Sequence, residues 1–147
     1  MAWVAAAVTF AAAVYICIDI FARVFLGSSL KGTVELTGYG LAISSSWAFG
    51  YALLHRAHVR VDIVHSRFGL KSRAALDVLA LAVLTVVAGT LAWYGYGVFA
   101  RSFQSNATAG FSRAVHVWWF QAVWVAGLVS FLVVALYLSI RSLVALL

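Results

Sequence analysis

Apolar residues fill four long stretches of the chain, and short polar stretches separate them. A helix crosses the hydrocarbon core of a bilayer with about 20 such residues over roughly 30 Å. Because lipid offers no hydrogen-bond partners, a crossing segment has to satisfy its own backbone, which a helix does. We therefore predict an all-α integral membrane four-helix bundle, a single membrane domain over residues 1–147. The predicted crossings are Trp3 to Leu26, Val34 to Leu54, Ala74 to Ala100 and Val115 to Ile140.

Composition supports a membrane protein over a soluble one. Hydrophobic residues make up 65% of the 147 residues and charged residues 10%, and the mean hydropathy is +1.04. A soluble domain of this size needs more polar surface than that. Proline is absent, so the sequence gives no sign of the proline-broken helices with which many transporters build a substrate site.

The distribution of Lys and Arg predicts the orientation. Four crossings place both termini and the central loop on one side of the membrane. That side holds six of the ten basic residues, namely Arg56, Arg60, Arg67, Lys71, Arg73 and Arg141. The opposite side holds Arg23, Lys31, Arg101 and Arg113. The positive-inside rule therefore favours cytoplasmic termini, and anionic lipids at the cytoplasmic face account for the net charge of +6 better than nucleic acid does.

A polar stretch from His55 to Arg73 interrupts the apolar pattern. Within it, apolar residues recur at helical spacing, and basic residues lie away from that stripe. This pattern predicts a short amphipathic interfacial helix over about residues 58–71, between the second and third crossings. A strand also fits the local alternation, and so does a loop whose charges only fix orientation. The apolar positions are Val61, Val64 and Phe68, and the basic ones are Arg60, Arg67 and Lys71.

Histidines raise two further possibilities, a metal site and a haem pair. His55, His58 and His65 are spaced to meet on a helix, but no cysteine accompanies them, and nearby arginines repel a cation. His116 and the others lie at predicted helix ends or in loops, whereas haem ligands in a membrane bundle lie within facing helices. We expect neither a metal nor a cofactor.

Two ionisable residues near the end of the first crossing are the most informative charges. Asp19 and Arg23 are four residues apart, so they share a helix face and can neutralise each other. Glu35, where the second crossing begins, can compete for the same guanidinium. We interpret these structural intramembrane charges as a staple between the first two helices. The alternative is a proton relay through Asp19, which the neighbouring arginine disfavours.

Small residues four positions apart mark faces where helices can approach closely, within the bundle or against a partner. Ala7 with Ala11, and Ser46 with Gly50, form two such pairs. Catalytic motifs are missing, since the chain has no phosphate-binding glycine loop and no Gly-x-Ser-x-Gly sequence, and its single cysteine, Cys17, has no partner. We therefore do not expect an enzyme.

Four short motifs, taken in order, resemble a known family. They are Asp19-x-x-x-Arg23-Val-Phe, Gly32-Thr-x-Glu35-Leu, Trp47-Ala-Phe-Gly50 and His58-Val-Arg-Val-Asp62. Their order, the chain length and the number of apolar stretches are similar to the small membrane subunit (DctQ family) of tripartite ATP-independent periplasmic (TRAP) transporters. The residues that match the family's pattern are Arg23, Glu35, His58, Arg60 and Asp62.

The resemblance implies a subunit that does not transport alone. A large membrane subunit would carry the substrate and ion sites, and a periplasmic substrate-binding protein would deliver an organic acid. The small subunit would scaffold the large one in a bacterial or archaeal cytoplasmic (inner) membrane, and uptake would be driven by an ion gradient. Lys31, Arg101 and Arg113 would then lie on the outer face, as candidates for docking the binding protein.

Two other classes of protein remain open on the residues alone. One is a self-sufficient proton-coupled exporter that acts as a homodimer and uses Asp19 as its coupling carboxylate. The other is a membrane anchor of a respiratory complex, which would bind haem or quinone. Reconstitution of the chain alone tests the first, and an absorbance spectrum tests for the haem of the second.

Overall fold

Four long helices and one small hairpin make up the part of the chain that the computed structural model describes, residues 2–55 and 70–144. For residues 70–75 it describes the backbone alone. The helices are α1 (Ala2–Phe25), α2 (Thr33–Leu54), α3 (Leu70–Gln104) and α4 (Val117–Val144). The two strands, β1 (Thr108–Ala109) and β2 (Ser112–His116), pair antiparallel between α3 and α4.

The helices pack in the spatial order α1, α2, α4, α3. Helix α2 therefore lies between α1 and α4, and α4 lies between α2 and α3. Helices α2 and α4 run in the same direction, because Tyr39 stacks on Phe120 near their starts and Phe49 meets Phe131 further along. The two connections 26–32 and 105–116 consequently lie at the same end of the bundle.

Helices α2 and α4 are in close contact at Gly127. A Cβ atom placed on Gly127 would lie 2.8 Å from Trp47 Cδ1 and 2.9 Å from Ser46 Cβ, and would also meet Ser46 Oγ. Ser46 is 1% exposed. Trp47 Nε1 donates a hydrogen bond across the same interface to the Val123 carbonyl at 3.1 Å. Small residues thus let the two backbones approach, as is typical of helices packed in lipid.

Helices α3 and α4 pack through small and hydroxyl side chains. Gly95 lets Leu128 approach the α3 backbone, and Leu128 is 3% exposed. Towards the other end of the bundle, the Thr85 and Ser139 hydroxyls are 2.9 Å apart, and Ser139 donates to the Leu81 carbonyl at 3.2 Å. The main apolar cluster lies between these helices and α2, and it comprises Leu53, Ala88, Phe131 and Ala135.

Three of the four helices are long and apolar enough to cross a membrane: α1, residues 76–104 of α3, and α4. Helix α2 has 22 residues, which is enough length, but its serines, threonines and glycines lower its hydropathy. Its three consecutive serines each donate to a carbonyl three residues earlier, at 2.8 to 3.2 Å. Since α1 and α4 flank α2, these polar groups are partly covered by protein, and the fold is compatible with the predicted four-helix bundle.

Several details differ from the sequence-based expectations. The β1–β2 hairpin was not predicted, and Val115, placed at the start of the fourth crossing, lies in β2 instead. Helix α3 begins at Leu70, so the last two positions of the predicted interfacial helix belong to α3, and the remainder of that helix lies outside the described residues. Ala7 and Ala11 are exposed, and α1 instead presents Ala12 to Gly40 of α2. Ser46 and Gly50 are buried.

Candidate functional site

The two connections at one end of the bundle form a continuous surface, which we call the loop face. It comprises residues 26–32, between α1 and α2, and residues 105–116, which contain the hairpin. Phe111 of the hairpin packs directly over Gly32 of the first connection. A Cβ atom at Gly32 would lie 2.5 Å from Phe111 Cβ and 2.7 Å from Phe111 Cδ1. Gly32 also has a φ of 83°, a conformation that favours glycine.

Asp19 holds the first connection in place. Its Oδ1 accepts a hydrogen bond from the Leu30 backbone N–H at 2.6 Å, and its Oδ2 accepts one from Arg23 Nη2 at 3.0 Å. The Asp19 side chain is 4% exposed, whereas that of Arg23 is 63% exposed. The carboxylate is therefore neutralised from the solvent side by arginine and satisfied from the protein side by the loop backbone.

Glu35 holds the hairpin in place. Its Oε1 accepts hydrogen bonds from the Tyr39 hydroxyl at 2.7 Å and from the Gly110 backbone N–H at 3.2 Å. Tyr39 is itself fixed, because its ring stacks on Phe120 of α4 with ring centroids 4.8 Å apart. A carboxylate at the start of α2 thus binds the turn of a hairpin that lies 75 residues away in the sequence.

Four basic residues lie in the two connections or in the helix turns next to them. Arg23 pairs with Asp19. Lys31, Arg101 and Arg113 are exposed, and within residues 2–55 and 76–144 no carboxylate forms a salt bridge with any of them. Arg101 Nε donates to the Gly97 carbonyl at 3.3 Å. This end of the bundle is consequently positive, because Arg23 and Asp19 cancel and the other three cations outnumber the single carboxylate of Glu35.

The structure places the sequence-predicted residues in two sets. Of the three candidate docking residues, Lys31 and Arg113 lie in the loop face and Arg101 lies in the last turn of α3 beside it. The helical residues Asp19, Arg23 and Glu35 lie at the same end of the bundle. Competition of Glu35 for Arg23, which the sequence left open, is not seen: Glu35 bonds to Tyr39 and the hairpin instead. The other set, His58, Arg60, Asp62 and Arg67, lies outside the described residues, and Lys71 falls in the first turn of α3.

The sequence did not reveal the residues that donate backbone hydrogen bonds to these carboxylates. Leu30 and Gly110 contribute backbone N–H groups, which nearly every residue type has, so residue type does not identify them. Gly110 did offer one signal, since a glycine between two stretches that suit strands is typical of a hairpin turn. Among the described residues, no group of three or more His, Cys, Asp or Glu is placed to hold a metal ion.

Comparison with known families gives one match over most of the chain. The model of the family described as "Tripartite ATP-independent periplasmic transporters, DctQ component" matches residues 12–145. The matched range begins within α1 and includes α2, α3, α4 and both connections of the loop face. None of the curated proteins compared with the chain matches it.

Proposed function

The chain belongs to the DctQ family of TRAP transporter components, and on that premise we propose that it scaffolds the large membrane subunit of such a transporter. The resemblance seen in the sequence motifs is thereby confirmed. The chain is a multi-pass membrane protein, a small subunit of an assembly that also comprises a large membrane subunit and a periplasmic binding protein. The family match over residues 12–145 is the observation that carries the proposal.

The packing of the inner helices supports a static scaffold. Helices α2 and α4 are held together by a close glycine contact and a tryptophan hydrogen bond, and α3 and α4 by a hydroxyl pair. Interfaces of this kind have little room to slide without losing contacts. A rigid small subunit can hold part of a large subunit still while another part moves. We propose that this transporter takes up an organic acid, driven by an ion gradient.

The charge distribution supports an orientation with the loop face outside. In a cytoplasmic (inner) membrane with cytoplasmic termini, Lys31, Arg101 and Arg113 lie on the periplasmic side. Their exposure and lack of acidic partners among the described residues suit the docking of a binding protein with an acidic surface. On the cytoplasmic side, the residues predicted to form the interfacial helix would contact anionic lipids and brace the bundle.

Co-purification tests the scaffold directly. The tagged chain, expressed with the large subunit of its transporter and extracted in mild detergent, should retain that subunit through affinity and size-exclusion steps. Proteoliposomes that contain the chain alone should take up none of a panel of labelled organic acids. Uptake by the chain alone, driven by a proton gradient, would instead support the exporter, although the engagement of Asp19 by Arg23 and Leu30 argues against it.

The proposed bracing role of the predicted interfacial helix, residues 58–71, is tested separately. Replacing Arg60 and Arg67 together with glutamate should weaken co-purification of the large subunit severalfold, because two anchoring charges become repulsive towards anionic lipid. Arg141→Glu is the matched control, since it reverses a charge on the same predicted side but on α4. Equal retention of the large subunit by the double variant and the control would count against the brace.

A further inference from the structure

Each carboxylate of the loop face binds the segment that carries one of the unpaired cations. Asp19 accepts the Leu30 N–H at 2.6 Å, and Lys31 is the next residue. Glu35 accepts the Gly110 N–H at 3.2 Å, and Arg113 follows three residues later in β2. The acidic groups therefore fix the backbone from which the basic side chains project.

The two segments are also fixed to each other. Phe111, beside the Gly110 turn, lies against Gly32, and Gly32 follows Lys31. Three contacts thus connect the cation-bearing segments to the helices and to one another, namely Asp19 with Leu30, Glu35 with Gly110, and Gly32 with Phe111. Asp19 is paired with Arg23, and Glu35 accepts from Tyr39 and Gly110 rather than from a cation, so Lys31 and Arg113 have no salt-bridge partner among the described residues.

We propose that Glu35 and Asp19 are positioning residues, which hold Arg113 and Lys31 in a preformed arrangement that recognises an acidic patch on the periplasmic binding protein. This inference rests on the proposed function. Ordering flexible segments at an interface lowers affinity, so a surface that is ordered before the encounter binds more tightly with the same contacts. Complementary charge then adds association rate and specificity.

Substitution of Glu35 distinguishes a positioning role from a simple effect of net charge, because the two predict opposite changes in affinity for an acidic partner. Glu35→Ala makes the loop face more positive, so an acidic partner should bind more tightly if net charge alone matters. If Glu35 positions the hairpin, the same substitution should weaken binding. Glu35→Gln is the matched variant, because it removes the same charge but keeps an oxygen that can accept from Tyr39 and Gly110.

The measurement uses the full chain and its large subunit together, in nanodiscs of zwitterionic lipid. The probe is the fluorescently labelled periplasmic binding protein of the same transporter, and its Kd is measured across a range of salt concentrations. We expect Glu35→Ala to raise the Kd about fivefold and Glu35→Gln to raise it less than about twofold, with single Lys31→Gln and Arg113→Gln variants each raising it about fivefold. The two cation variants should also flatten the salt dependence.

A double variant sharpens the assignment. Once the hairpin is released, Arg113 is no longer held in place, so Arg113→Gln should cost less in the Glu35→Ala background than in the unaltered chain. Additive effects would overturn the positioning role. So would an unchanged or lowered Kd in Glu35→Ala, or equal effects of the alanine and glutamine variants.

Two controls keep the tests independent. If the large subunit does not co-purify with the unaltered chain, the proposed function fails; if it does co-purify and Glu35→Ala leaves the Kd unchanged, only the positioning inference fails. Should Glu35→Ala prevent assembly, Tyr39→Phe decides, because it removes one donor to Glu35 and keeps the ring on Phe120. We expect it to raise the Kd about twofold, and no change would overturn the inference.

Discussion

Replacing Gly127 with alanine should loosen the interface between α2 and α4. The added Cβ would lie 2.8 Å from Trp47 Cδ1 and 2.9 Å from Ser46 Cβ, and would also meet Ser46 Oγ. Carbon atoms in van der Waals contact are about 3.5–4.0 Å apart, so the helices would have to separate by roughly 0.6–1.2 Å. Because Ser46 is 1% exposed, it has little space into which to move.

Gly38→Ala is the matched control for the magnitude. Gly38 lies in α2, and a Cβ atom there meets nothing within 4 Å. Both substitutions gain the same helix propensity, up to about 1 kcal/mol, so this contribution cancels when the two variants are compared. The remaining difference is the cost of overpacking, which is about 1–3 kcal/mol for an inserted methyl group in a well-packed interface.

Reversible unfolding of the purified chain in detergent, followed by far-UV circular dichroism, measures this difference. We expect the free energy of unfolding of Gly127→Ala to be about 1–3 kcal/mol below that of Gly38→Ala. Adding Ser46→Ala should recover part of the loss, because it removes the Oγ nearest to the new methyl group. Equal stability of the two glycine variants, within about 0.5 kcal/mol, would refute the close contact as described.

Three further predictions concern the anchoring of the first connection, the α2–α4 interface and the orientation. Asp19→Ala should lower the free energy of unfolding by about 1–2 kcal/mol, because the Leu30 N–H loses its acceptor. Asp19→Asn should lower it less, because the amide keeps an acceptor oxygen. An equal loss in both variants would show that the charge of Asp19, and not this hydrogen bond, stabilises the fold. Trp47→Phe should lower the free energy of unfolding by about 0.5–1.5 kcal/mol in the same assay, because the Val123 carbonyl loses a donor while most of the apolar packing is kept. An unchanged free energy of unfolding would show that this hydrogen bond does not stabilise the fold. A cysteine in place of Arg101, in a background without the native cysteine, should react with a membrane-impermeant maleimide from the periplasmic side of intact cells; reaction only after the cells are opened would reverse the proposed orientation.

Hydropathy located the helices well but not their ends. It placed the third crossing at residues 74–100, whereas α3 runs from Leu70 to Gln104. Hydropathy measures suitability for lipid, and a helix can continue past the bilayer through polar residues such as Ser102 and Gln104. The hairpin was missed because β1 has only two residues, too few to show an alternating pattern.

Local pairs could be read from the sequence, and distant ones could not. The four-residue spacing of Asp19 and Arg23 predicts that they share a helix face, and the two side chains do meet at 3.0 Å. Glu35 looked equally able to reach Arg23, but its partner is the Gly110 backbone, far away in the chain. The small-residue spacing of Ala7 and Ala11 shows a related limit, since it gives the period of a face but not the neighbour that the face meets: within this chain α1 meets Gly40 of α2 through Ala12 instead.

The low hydropathy of α2 has a consequence for how the chain enters the membrane. During synthesis α2 leaves the ribosome after α1 and well before α4, the helix that contacts its serines and Trp47. A segment with so many polar groups partitions poorly into lipid alone, because each exposed polar group opposes insertion. We therefore expect α2 to remain beside α1 at the insertion machinery until α4 arrives. Insertion of α2 would then depend on α4, so the four helices would not enter the membrane independently.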